Sequence, residues 1–134
     1  MRALLLPVGA DWYAVDLQAV REVIILPAVT AVPTAPSPVL GLFNLRGEIV
    51  PLFDTAALLG LGGMPRGSFA AIVRTAAGPA GLSLSGMPEA VELGEPEPID
   101  IVSGVAIYSV GARLATLVDV DQVLGPDRVG TFHA

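Results

Sequence analysis

From Gly41 to Asp54 the chain reads Gly-Leu-Phe-Asn-Leu-Arg-Gly-Glu-Ile-Val-Pro-Leu-Phe-Asp. On an extended backbone, Phe43, Leu45, Ile49 and Phe53 fall on one face and Asn44, Arg46 and Glu48 on the other. That period of two predicts a half-buried pair of strands. Arg46-Gly47 is the bend between them, with Gly47 supplying the backbone freedom of a tight turn. Pro51 cannot donate to a ladder, so its strand is expected at a sheet edge or at a bulge. Asp54 has the chemistry to cap a short helix over residues 55–59, which Gly60 would end.

The same reading extends along the chain. Residues 2–8 and 12–16 predict a hairpin turned at Gly9-Ala10-Asp11. Leu17–Glu22 predicts one helical turn capped by Asp16, and Val23–Leu26 a short buried strand. Four prolines stiffen residues 27–38 around an extended segment at Val29–Val32. Residues 60–67 form a glycine- and proline-rich turn region, the seam between two halves. Ser68–Arg74 and Gly81–Ser85 predict a hairpin turned at Ala77-Gly78-Pro79. Met87–Leu93 fits strand or helix. Residues 89–100 carry five carboxylates among Pro96, Pro98 and Pro88, an acidic solvated connector. Asp100–Tyr108 and Ala112–Val118 predict a last hairpin around Val110-Gly111, and Asp119–Gly125 a last short helix.

Leu52–Gly60 and Leu117–Gly125 share a pattern: an apolar strand end, an aspartate cap, a short helix and a closing glycine. The repeat predicts an all-β chain built as two similar small β-barrels, each with one short helix. The whole of 1–134 is expected to be one domain of two pseudo-repeated lobes, with the N-terminal strand free to join the second lobe.

Composition narrows the function. Hydrophobic residues are 53% and charged residues 15%, which implies a large core or apolar surface used for binding. Without cysteine there is no disulfide, thiolate nucleophile or cysteine metal site. No apolar run reaches the ~20 residues of a membrane span, and Met1–Pro7 reads as a strand and not as a leader, which places the chain in the cytoplasm. Net charge is −6, with no lysine and seven scattered arginines. Nothing in that pattern neutralises a row of phosphates, so neither nucleic acid nor direct membrane insertion is expected.

Catalytic chemistry is poorly supplied. The single histidine, His133, sits in the C-terminal tail. Gly60-Leu61-Gly62-Gly63 lacks the features of a nucleotide loop. Asp119 and Asp121 resemble a carboxylate pair, but Asp54 and Asp119 are better read as structural caps. No metal and no cofactor is expected. A carboxylate-dependent enzyme is the rival class, and it requires Asp119 and Asp121 to converge in a pocket. Arg21, Glu22 and Arg46 are left, each isolated among apolar residues. A Glu22–Arg46 pair between neighbouring segments satisfies both charges.

The Asn44-Leu45-Arg46-Gly47 core, in order with Val20-Arg21-Glu22-Val23-Ile24, the Pro33…Pro36 loop and Leu117-Val118-Asp119, resembles the CheW-like domains of bacterial chemotaxis over essentially the whole chain. The resemblance implies two small five-stranded, SH3-like barrel lobes packed around a shared apolar seam, and no catalytic activity. It implies an adaptor between the cytoplasmic tip of a methyl-accepting chemoreceptor and the regulatory domain of a CheA-type histidine kinase, in arrays on the inner face of the membrane. By motif position it assigns receptor and kinase contact to Val20, Glu22, Gly41 and Arg46. One departure lies in Gly81-Leu82-Ser83-Leu84-Ser85-Gly86, which has serine where the family often carries the aspartate of a Val-Asp pair after its Gly-Leu strand. An orphan or kinase-derived module in another pathway, such as pilus motility, is the alternative.

Overall fold

A computed structural model describes residues 1–62, 67–98 and 105–125. Its strands are β1 (Arg2–Val8), β2 (Asp11–Asp16), β3 (Val20–Ile25), β4 (Val39–Leu45), β5 (Glu48–Phe53), β6 (Phe69–Thr75), β7 (Gly78–Leu84), β8 (Glu89–Glu92), β9 (Ile107–Val110) and β10 (Arg113–Leu117). Two short helices, α1 (Thr55–Leu58) and α2 (Val120–Val123), follow β5 and β10. The strands form two five-stranded sheets, ordered β3-β6-β7-β5-β4 and β8-β1-β2-β10-β9.

The two orders are one arrangement written twice. In each, a parallel pair (β5 with β7, β10 with β2) joins two antiparallel hairpins, and a fifth strand pairs antiparallel with the outer strand of one of them. The chain visits the first sheet as strand, hairpin, helix, hairpin. The second sheet matches if the N-terminal hairpin is read after α2. The registers agree as well: Leu52 lies beside Gly81 as Leu117 lies beside Ala14. Gly81 then pairs with Ile72, and Ala14 with Leu5. Across from these stand Glu22 and Glu89, which occupy equivalent positions.

The burial pattern follows from this doubling. Each sheet curls around its own small core: Phe43, Leu45, Val50, Leu52, Ala70 and Ile72 in the first, and Ala3, Leu5, Ala14, Leu93 and Ala115 in the second. Between the sheets lies a third, larger core that includes Leu4, Leu6, Val15, Phe53, Ala71, Val73, Leu82, Leu84 and Val120. Strands β1 and β6 are therefore apolar on both faces, one side facing the lobe's own core and the other the seam.

Several expectations are corrected. Ile49 is on the solvent side, 47% exposed, and Val50 takes its place in the core. The reason is parity: the two-residue turn pairs Leu45 with Glu48 and Phe43 with Val50, so the inward set changes from odd to even numbers. Pro51 lies on an inner strand, not an edge. Leu42 opposite it spends its N–H and C=O on Thr30, and the pairing of β5 with β7 begins only at Leu52, so no partner awaits the missing N–H. The helical turn stops at Ala19, and Val20–Ile25 is an edge strand whose Ile25 is 76% exposed, not a buried one. Part of the acidic connector is strand β8, docked on β1. Asp100 and His133 lie outside the described residues.

Candidate functional site

Strands β3 and β4 are the two edges of the first sheet. The sheet curls far enough for charges to close the gap between β3 and the β4–β5 hairpin. Register slips between Val20 and Glu22, leaving Arg21 as an extra residue. In a regular strand Arg21 and Glu22 would point to opposite faces; the bulge lets both reach the same hairpin. Glu22 Oε2 accepts from Arg46 Nη2 at 2.5 Å and lies 3.3 Å from Arg21 Nε. Arg21 Nη1 donates to Glu48 Oε1 at 2.7 Å. The result is an alternating chain, Glu48–Arg21–Glu22–Arg46. The bond from Arg46 is the largest influence holding the Glu22 carboxyl below its usual range, with the Arg21 charge adding to it. The bond that Arg21 donates to Glu48 does the most to raise the Arg21 guanidinium.

The hairpin tip is built to hold Arg46 out. Arg46 and Gly47 have φ of 52° and 89°, the pair of positive values of a type I′ turn. The Asn44 side chain accepts from the Gly47 N–H at 2.8 Å and braces the bend. Arginine is an unfavourable residue for left-handed backbone, where asparagine or glycine would sit more easily. Arg46 keeps 62% of its side chain exposed while one guanidinium nitrogen is tied to Glu22, so donors remain for another carboxylate. Ile25 and Ile49 add exposed apolar surface on the strands that carry this clasp.

The resemblance names four contact positions, and the structure separates them. Glu22 and Arg46 meet as expected. Gly41 is buried: a Cβ there would lie 2.4 Å from the Thr30 carbonyl oxygen and 2.8 Å from Val29 Cγ1. The missing side chain lets the 29–30 segment bridge onto β4. Val20 is half-buried against the shared core. Sequence reasoning singled out Arg21 but missed its bond to Glu48, because nothing in spacing announces a bulge.

Asp119 and Asp121 do not form a reaction centre. Asp119 Oδ1 accepts from the Asp121 N–H at 3.0 Å, capping α2, and Asp121 Oδ1 accepts from the Ala76 N–H at 3.0 Å. Asp54 caps α1 through the Ala57 N–H at 3.2 Å. Among the described residues no cluster of three or more histidine, cysteine, aspartate or glutamate residues is placed to hold a metal ion. In the 81–86 stretch that departs from the family pattern, Ser83 is buried and its hydroxyl lacks a partner among the described residues, while the Ser85 hydroxyl accepts from the Gly9 N–H at 3.2 Å and donates to the Pro7 carbonyl oxygen at 3.0 Å.

The second lobe has a counterpart clasp. Glu89, equivalent to Glu22, accepts from Arg113 Nη1 at 3.1 Å, and Arg113 stacks 4.7 Å over the Trp12 ring.

The CheW-like domain family model matches residues 2–127. Over 131 residues the chain is 28% identical to the chemotaxis protein CheW of Helicobacter pylori, covering 90% of this chain and 79% of that protein. Over 54 residues it is 43% identical to the chemotaxis protein CheW of Rhizobium meliloti. That stretch covers 40% of this chain and 35% of the relative. A probable chemotaxis protein CheW of Rhizobium etli matches over the same shares at 39% identity, so the matched stretch spans about a third of these two relatives. Among solved structures, the scaffolding protein TtCheW from Thermoanaerobacter tengcongensis superposes with a TM-score of 0.78 at 20% identity, covering 95% of this chain and 94% of its own.

Proposed function

The chain belongs to the CheW-like domain family, a non-enzymatic family of chemotaxis scaffolds, and on that premise we propose that it couples a methyl-accepting chemoreceptor to a CheA-type histidine kinase. It does so by protein contacts alone, beneath the inner face of the membrane. No described helix is long and apolar enough to cross a membrane.

The observation that carries this reading is Arg46, strained into a left-handed turn yet exposed, and steadied on one side by Glu22. A residue kept in an unfavourable conformation with free donors is placed for recognition. The receptor tip is a helical hairpin; its carboxylates would meet the Arg46 fork while apolar positions cover Ile25 and Ile49. The kinase regulatory domain, of like fold, would dock on the edge strands.

The test is a pull-down of Arg46→Ala with the receptor tip and the kinase regulatory domain from the same organism, alongside a melting curve. The expected result is weakened capture with a folded protein. Unchanged capture of both partners rejects the docking role.

A further inference from the structure

We propose that Arg21 is a positioning residue for the docking surface, acting through Glu22 and Glu48 to fix where the Arg46 guanidinium points. The inference rests on the coupling role assigned to Arg46. Its geometry is that of a clamp with two jaws. One jaw is the Nε contact to Glu22 Oε2, the same oxygen that receives Arg46 Nη2. The other is the Nη1 bond to Glu48, the residue on the far side of the two-residue turn that carries Arg46. A single guanidinium therefore holds both the partner of Arg46 and the strand that follows it.

Geometry explains why arginine and a bulge are needed together. A planar fork addresses two carboxylates in different directions, which a lysine ammonium on a flexible stem does with less definition. Without the bulge at Arg21, one of the two neighbouring side chains would turn away from the hairpin. Arg46 by itself has one bond to Glu22 and a mostly exposed side chain. A freely moving partner carboxylate at position 22 would leave its direction undefined, and ordering it on binding would cost affinity.

The experiment is a double-mutant cycle on binding, using Arg21→Gln, Arg46→Ala and the double variant. Affinity is titrated against the receptor hairpin fragment and the kinase regulatory domain of the same organism. The Glu22 carboxyl is followed by NMR titration in the variants with Arg46 intact. Arg21→Gln is expected to weaken binding about three- to tenfold with little change in melting temperature. It is expected to lose that effect when Arg46 is already alanine, and to move the Glu22 titration upward. Glu48→Gln, which cuts one jaw only, is expected to weaken binding by a smaller factor and supplies the reading if Arg21→Gln fails to fold. Arg21→Lys should recover part of the affinity. If Arg46→Ala weakens binding but Arg21→Gln and Glu48→Gln do not, or if the Arg21 effect persists undiminished without Arg46, the positioning role is overturned while the coupling role stands. If Arg46→Ala itself changes nothing, both fall.

Discussion

At the scale of single residues, the site depends on two positions whose backbone is constrained for different reasons. Arg46 occupies left-handed space that asparagine tolerates far better. Arg46→Asn is therefore expected to keep or raise the melting temperature while losing the guanidinium, which makes it a cleaner probe of binding than alanine. A fall of several degrees by calorimetry would show that the Glu22 bond outweighs the turn strain. Gly41 is constrained by space. Gly41→Ala pushes a methyl into the Thr30 carbonyl, at a cost of about 1–3 kcal/mol in chemical denaturation. Loss of exchange protection at the Thr30 and Leu42 amides should accompany it. Glu22 gives the site a pH dependence. Its carboxyl is held low in the folded state, so its contribution to stability is complete above the unfolded value of about 4.3 and lost as pH falls through the lower folded value. The melting temperature of the wild type should therefore fall more steeply over that acid window than that of Arg46→Ala. Parallel curves would show that the bond contributes nothing. The Glu22–Arg46 pair was legible because two lone charges in apolar surroundings must find each other. The buried state of Gly41 was not, since the close contacts come from Val29 and Thr30 in a separate segment upstream.

At the scale of elements, local chemistry was legible and three-dimensional consequence was not. Hairpins, helix caps and the Arg46-Gly47 bend follow from turn residues and aspartates that act within a few positions of themselves. Asp54→Ala and Asp119→Ala are each expected to cost about 0.5–2 kcal/mol by denaturant titration, since each removes an acceptor for the amides of its helix. No loss in either would mean that packing alone holds these short helices. What could not be read locally was parity through the turn, which sent Ile49 outward, and the bulge that turned Arg21 toward Glu48. Both depend on which strand lies opposite. The exposed edge strand β3 was mistaken for a buried one because its apolar residues look the same whether they face a core or a partner.

At the scale of the whole molecule, two permuted copies of one arrangement share a seam, and the seam should make them one cooperative unit. Leu82→Ala removes a side chain from that core and is expected to cost about 2–5 kcal/mol, with both lobes melting in a single transition. Separate transitions would show that the lobes fold independently. The repeat at residues 52–60 and 117–125 was visible in the sequence, and so was the freedom of the N-terminal strand to join the second lobe; that β2 comes with it and pairs parallel with β10 was not, since strand pairing over such separations leaves no local mark. The four-charge clasp at one end of this body is the surface on which the proposed coupling depends. Hydrogen–deuterium exchange of the full chain, with and without the receptor hairpin and the kinase regulatory domain, tests that most directly. Protection is predicted over residues 20–25 and 44–49. Protection confined to the surface around Asp119, or none anywhere at saturating partner, would contradict it.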